Sequence, residues 1–115
     1  MKIRIVLLSC ALVLTGDLVS RAADTHANAP VPKPSFDCAA AKSRIDLLIC
    51  GNAGLAALDV REAAMLSRAK AKAVTPDAVD AEQDVWLSQR NACTSVACVT
   101  RAYQRRLRRL HAWTD

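Results

Sequence analysis

The chain has 115 residues, 52% of them hydrophobic but only four aromatic, and carries a formal net charge of +5. That length holds one domain, and once an export signal is removed the remaining ~90 residues sit near the size at which a single core becomes marginal. Alanine is abundant and β-branched residues nowhere alternate with polar ones over a strand length, which excludes a parallel sheet or a nucleotide-binding fold and points to an all-α domain.

Residues 1–23 read as a cleavable signal peptide. Lys2 and Arg4 supply the positive start, Ile5 to Leu14 the apolar run, and small residues follow at Ser20, Ala22 and Ala23, so cleavage is expected near Ala22 or Ala23. Gly16 and Asp17 end the run after about a dozen residues, too few to span a bilayer. Leu7-Leu8-Ser9-Cys10 resembles a lipoprotein cleavage box, but it would leave only about five apolar residues as the signal's core, so Cys10 is read as part of the signal. The mature chain then holds 13 cations against 10 anions, a net +3.

Residues 24–35 form a spacer, stiffened by Pro30, Pro32 and Pro34, which remove amide donors and favour extended backbone. The domain proper, residues 36–115, opens at Phe36-Asp37-Cys38. A short first helix is expected to be capped by Ser43, with Asp46 three residues on and Ile45, Leu48 and Ile49 on one side. Gly51-Asn52 ends it, and Asn52 caps a long second helix from about Ala53 to Ala73, with Leu55, Leu58, Met65, Leu66 and Ala69 at the 3.6-residue repeat. Thr75-Pro76 starts a third helix to about Ala92, threonine at the cap and proline where its missing amide costs nothing. Val79, Gln83, Trp86 and Arg90 share its stripe, and Asp77, Asp80, Glu82 and Asp84 suit its positive end. A fourth, from about Ala97 to Ala112, places Val99, Tyr103, Leu107 and Leu110 inward. Short connections make these helices a small antiparallel bundle of three main helices plus the short first one.

Four cysteines remain after the signal, Cys38, Cys50, Cys93 and Cys98, and an even count in an exported domain of this size reads as two disulfides. A four-thiolate zinc site fits poorly, because metal-binding cysteines come as closely spaced pairs, unlike separations of 12 and 5. Three pairings are open to the sequence; geometry favours Cys38–Cys50 with Cys93–Cys98, each closing a segment that contains a turn or a helix start.

With helices and cysteines placed, a set of residues stands out: Phe36-Asp37-Cys38, Ile49-Cys50, Leu55, Leu58-Asp59, Gln83, Trp86-Leu87, Arg90, Cys93, Cys98-Val99, Tyr103, Arg106-Leu107 and Leu110. In these residues the chain, over about 36–110, resembles the LprI-type lysozyme-inhibitor family, exported helical domains with disulfides. Two positions depart from the family pattern: Leu66 stands where a tyrosine is usual, and Glu62 where an apolar residue is common. The resemblance implies a protein partner, a lysozyme bound and inhibited in the bacterial cell envelope, an activity that belongs to some members of the family.

The residues themselves admit several roles. Gln83, Trp86 and Arg90 share one helical face and would suit a recognition surface. With so few aromatics, however, Trp86 reads first as core, with Gln83 serving nearby backbone groups and Arg90 structural. Asp59, at the edge of its stripe, is placed to pair with Arg90 or Arg106 across the bundle. Arg101, Arg105, Arg106, Arg108 and Arg109 put cations on most faces of the last helix, favouring its own dipole and offering a candidate surface for anionic lipids or wall polymers. Nucleic acid is not expected in an exported chain that lacks stacking aromatics among its arginines. No catalytic constellation is visible: the cysteines are committed to bridges, and neither His26 nor His111 has a partnered nucleophile. No cofactor or metal is implied. The leading expectation is a periplasmic or secreted, non-catalytic, lysozyme-inhibitor-like binding protein; the rival is an envelope interaction module working through its basic C-terminal helix. A basic inhibitor gains no steering toward a basic lysozyme, so inhibition calls for a locally acidic patch, with Asp77, Asp80 and Asp84 as candidates.

Overall fold

A computed structural model describes residues 30–115. The expected signal peptide with Cys10, and the expected spacer through residue 29 with His26, lie outside the described residues. Those described form an all-helical domain: a 3₁₀ turn at Cys38–Ala40, then α1 (Arg44–Cys50), α2 (Ala53–Lys72), α3 (Pro76–Asn91) and α4 (Val96–Ala112). No helix among them is long and apolar enough to cross a membrane.

Local chemistry sets the helix starts. The Ser43 hydroxyl accepts from the Asp46 amide at 3.0 Å, and the Asn52 side-chain carbonyl accepts from the Leu55 amide at 3.0 Å. Each satisfies one of the amides that a first turn leaves without a helical partner. Ser95 does the same for α4, accepting from the Cys98 amide at 3.2 Å, a start one residue earlier than the apolar pattern places it. Thr75 departs from expectation. It occupies the cap position of α3 but makes no side-chain cap bond, because its backbone (φ −124°, ψ 86°) is not that of a regular cap. Pro76, with its preset φ, starts that helix instead. The 3₁₀ turn is capped by Asp37, which accepts from the Ala39 amide at 2.9 Å.

Three-residue and four-residue links make α3 antiparallel to α2, and α4 antiparallel to α3. Their inner stripes form two apolar clusters. One, at the cysteine end, joins Ile45, Ile49, Leu55, Trp86, Cys93, Val99, Ala102 and Tyr103. The other, at the far end, is small: Ala69, Val79 and Leu110, with Met65, Leu66, Ala73 and Trp113 packed against them. Between the clusters the stripes carry charge, for Asp59, Glu62, Arg90 and Arg106 are all buried. Leu107, expected inside, is only half-buried and lies at the edge of the inner face of α4.

The cysteines pair as Cys38–Cys50 and Cys93–Cys98, with Cα separations of 5.9 and 5.6 Å. The first ties the 3₁₀ turn to the end of α1; the second closes the α3–α4 link. Arg44 joins the two neighbourhoods by donating to the Cys93 carbonyl at 3.0 Å. Loops of these sizes correspond to about 3 and about 2 kcal/mol of denatured-state entropy. Together that rivals the ~5 kcal/mol at the low end of small-domain stability. Reduction is therefore expected to lower Tm by at least about 20 °C, or to abolish the cooperative transition, followed by far-UV circular dichroism. An equal Tm with and without reductant would show both bridges to be dispensable.

Candidate functional site

The buried charges assemble on a simple geometric basis. Along α2, positions 55, 59, 62, 66 and 69 form one stripe; along α4, positions 99, 103, 106 and 110 form another; along α3, positions 79, 83, 86 and 90 do the same. Where the stripes meet, Asp59 faces Tyr103, and Glu62 faces Arg106.

The first group is a relay. Tyr103 is fully buried; its hydroxyl donates to Asp59 Oδ1 at 2.7 Å and accepts from Arg90 Nη1 at 3.2 Å. The other Asp59 oxygen receives both the amide and the hydroxyl of Ser35, each at 2.6 Å, which fastens the end of the spacer to α2. Arg90 also reaches Asn91 Oδ1, at 2.9 Å from Nη2, and Asp46 at 3.4 Å, and its guanidinium lies 5.5 Å from the Trp86 ring centroid. Trp86 meets Tyr103 edge-on at 5.2 Å and donates its indole N–H to the Ala102 carbonyl at 3.0 Å. Burial, and then the adjoining Asp59 carboxylate, push the Tyr103 hydroxyl well above its ordinary range, so it stays a donor at any physiological pH.

The second group surrounds Arg106. Its Nε donates to Gln83 Oε1 at 2.9 Å and lies 3.7 Å from Glu62, while its Nη1 reaches Glu82 at 3.4 Å. Glu62 Oε1 and Arg106 Nη2 are buried without a hydrogen-bond partner. Burial raises the Glu62 carboxyl, against the opposing pull of Gln83 and Arg106. Glu82 behaves oppositely. Its hydrogen bonds from Arg109, assisted by the Trp113 indole, hold it down at about 2.

Several expectations change here. Asp59 makes no direct ion pair with Arg90 or Arg106 among the described residues; the tyrosine stands between it and Arg90, and Arg106 turns to the glutamates. Gln83 serves the Arg106 side chain rather than backbone groups. Arg109, placed with the anion-binding arginines, is engaged by Glu82 and stacks 5.7 Å from the Trp113 ring centroid. Asp80 is held by Lys70 at 2.8 Å, which takes it out of the acidic patch expected with Asp77 and Asp84. From sequence, Glu62, Glu82, Asp46 and Ser35 carry no expected part in a site. Glu62 had a signal, since it interrupts the apolar stripe of α2 at a helical repeat, just as Arg106 interrupts that of α4.

The carboxylates gather elsewhere. A cleft of about 520 Å³ opens between the N-terminal segment, α2 and α3, with Asp37, Asp46, Asp59, Glu62 and one cation, Arg90, along it and Phe36, Leu66 and Trp86 as its apolar surface. The arginines of α4 divide between two other faces: Arg105 and Arg109 line a groove against α3, and Arg108 a groove against α2, while Arg101 is exposed on neither. No group of three His, Cys, Asp or Glu side chains able to hold a metal occurs among the described residues.

Fold and site together define a small all-α domain, stapled by two disulfides, whose inner faces carry a buried ionic layer and four of whose carboxylates line one cleft. Compared with protein-family models, with curated proteins and with solved structures, the chain matches none.

Two outcomes follow for the buried groups. Tyr103→Phe leaves Asp59 one donor short and Arg90 one acceptor short, and is expected to cost about 1–3 kcal/mol in urea unfolding; a change under about 0.5 kcal/mol would remove the relay from the stabilising interactions. Because the Glu82 carboxyl is held below its unfolded value of 4.5, its contribution is complete above pH 4.5 and disappears as pH falls toward about 2. The drop in urea midpoint between pH 4.5 and 2 should be shallower in Glu82→Gln; parallel profiles would mean that the Arg109 clamp does not survive in solution.

Proposed function

We propose that the chain is an exported, non-catalytic binding protein of the bacterial cell envelope, of the LprI lysozyme-inhibitor type, and that its acidic cleft is the surface that meets a lysozyme. The observation that carries this reading is the segregation of charge. A mature chain of net positive charge would repel a basic partner, yet four carboxylates, Asp37, Asp46, Asp59 and Glu62, lie along one apolar-walled cleft against a single cation, Arg90, which favours a local acidic sign at contact distance.

The parts of the cleft divide the work. Asp37 is exposed and meets an incoming lysine or arginine directly, while the half-buried Asp46 shares its charge with Arg90 at 3.4 Å and can exchange that contact for the partner's cation. Asp59 and Glu62 lie deeper, where Ser35 and Tyr103 hold the first and Arg106 faces the second. Phe36, Leu66 and Trp86 supply apolar surface for the aliphatic stem of such a side chain. Ser35, clamped to Asp59, fixes the N-terminal segment that forms one wall. Export is supported by the three-part N-terminal pattern and by two disulfides that an oxidising compartment would maintain.

The oxidised protein, in stoichiometric excess, is expected to slow the lysis of bacterial cell walls by at least one lysozyme type. Asp37→Asn combined with Asp46→Asn should weaken that inhibition about tenfold or more, the equivalent of ~1.4 kcal/mol, with Tm lowered by no more than about 5 °C. Absence of inhibition across several lysozyme types would overturn the reading; full inhibition by the double variant would move the contact away from the cleft.

A further inference from the structure

The face opposite in charge to the cleft lies between α2 and α4. Arg61, Met65 and Arg68 follow one another on α2 at spacings of four and three, so they share a stripe about 10 Å long. Across from them α4 presents Leu107 and Arg108, and the two stripes bound a groove of about 600 Å³. Its middle is apolar, for Met65 and Leu107 are half-buried there. Its edges are cationic, for Arg61, Arg68 and Arg108 are all exposed.

None of these three guanidiniums has a carboxylate within ion-pair distance among the described residues, unlike Arg90, Arg106 and Arg109, which are all engaged. The acid lining the groove, Asp115, is exposed at its end and lies 3.0 Å from His111. Guanidinium forks match the oxygens of phosphate and carboxylate groups. A free phosphate would leave Met65 and Leu107 wet, and a neutral apolar molecule would leave the arginines unused. An alkyl chain with an anionic head satisfies both, and the volume falls within the range of small-molecule sites.

We propose that the α2–α4 groove is a binding site for a lipid-like anion, a single alkyl chain bearing a phosphate or carboxylate head, with Arg61, Arg68 and Arg108 on the head and Met65 and Leu107 against the chain. The site is separate from the acidic cleft and involves none of its residues. It assigns a role to the half-exposed Leu107, which the inner stripe of α4 does not absorb.

The chain has two methionines, Met1 and Met65, so methyl-labelled methionine reports the groove directly by NMR. The oxidised protein is titrated with dodecyl phosphate below its micelle concentration, with inorganic phosphate and with dodecyl maltoside. Dodecyl phosphate is expected to bind saturably at one per chain and to shift the Met65 methyl, at least tenfold more tightly than either control. Arg61→Gln, Arg68→Gln and Arg108→Gln together should weaken it at least tenfold, whereas Arg101→Gln with Arg105→Gln, outside the groove, should change it less than twofold. Should the triple variant fold poorly, the wild-type titration decides alone. Inorganic phosphate binding as tightly as dodecyl phosphate with the Met65 signal unmoved would reduce the site to a patch of charge. Equal binding of dodecyl maltoside, or none of dodecyl phosphate, would overturn the proposal. Lysozyme inhibition, measured in parallel, is expected to be unaffected by the triple variant, which keeps the two sites distinguishable.

Discussion

Arg106 is the charge around which all three long helices close. It belongs to the inner stripe of α4, its Nε meets Gln83 of α3 and faces Glu62 of α2, and its Nη1 reaches Glu82. An ion in this position is costly to desolvate, and attraction to its partners offsets that only when the geometry holds them close. The unpartnered Glu62 Oε1 and Arg106 Nη2 show that the offset is incomplete. The chain therefore retains an arrangement that an apolar pair of similar volume would match or exceed in stability. What the ions provide is position: sliding α4 by one turn would put Arg106 against an apolar cluster and strand Glu62, so the layer penalises wrong registers more than it rewards the right one.

That cost explains the dependence on disulfides. The far cluster has only Ala69, Val79 and Leu110 fully buried, and the near one is supported by α1, a helix of seven residues. A core split by charge and this thin leaves a small margin once chain entropy is counted. The two bridges act where the margin is least. One fixes α1 to the segment before it, and the other fixes the link from which α4 departs. Asp59 extends the same logic outward, tying Ser35 to the relay so that the N-terminal segment becomes one wall of a cleft instead of a loose tail.

Much of the fold was legible because it rests on local rules. Ser43 and Asn52 cap as their side chains dictate, Pro76 starts a helix where its ring allows, and the inner stripes follow the helical repeat. Cysteine pairing was favoured for the same reason, each bridge being local. Legibility fell where side chains from different helices compete for one partner. Asp59 and Arg90 are both at the right positions to pair, but Tyr103 projects between them, and no stripe analysis ranks a phenol against a guanidinium. The acidic cleft was hidden for a different reason. Asp37, Asp46, Asp59 and Glu62 are spread over 26 residues and three elements, so no charge run marks them, whereas Asp77, Asp80 and Asp84 form a visible run whose middle member is taken by Lys70.

The buried layer also accounts for how a chain this small keeps two surfaces of opposite sign. Glu62 and Arg106 are pulled inward and compensate each other, and Arg109 is spent on Glu82, so these charges contribute little at the surface. Among the charges that remain outside, the carboxylates of Asp37 and Asp46 lie on the side of α1, near the exposed Lys42 and Arg44, and the guanidiniums of Arg61, Arg68 and Arg108 lie on the α2–α4 side. Had Arg106 pointed outward with the other arginines and Arg109 lacked Glu82, α4 would present more positive potential, and at a Debye length of about 8 Å more of it would reach the cleft. Pairing with the glutamates lowers the net positive charge that α4 presents. The same contacts that hold α4 in register therefore also reduce the charge it presents.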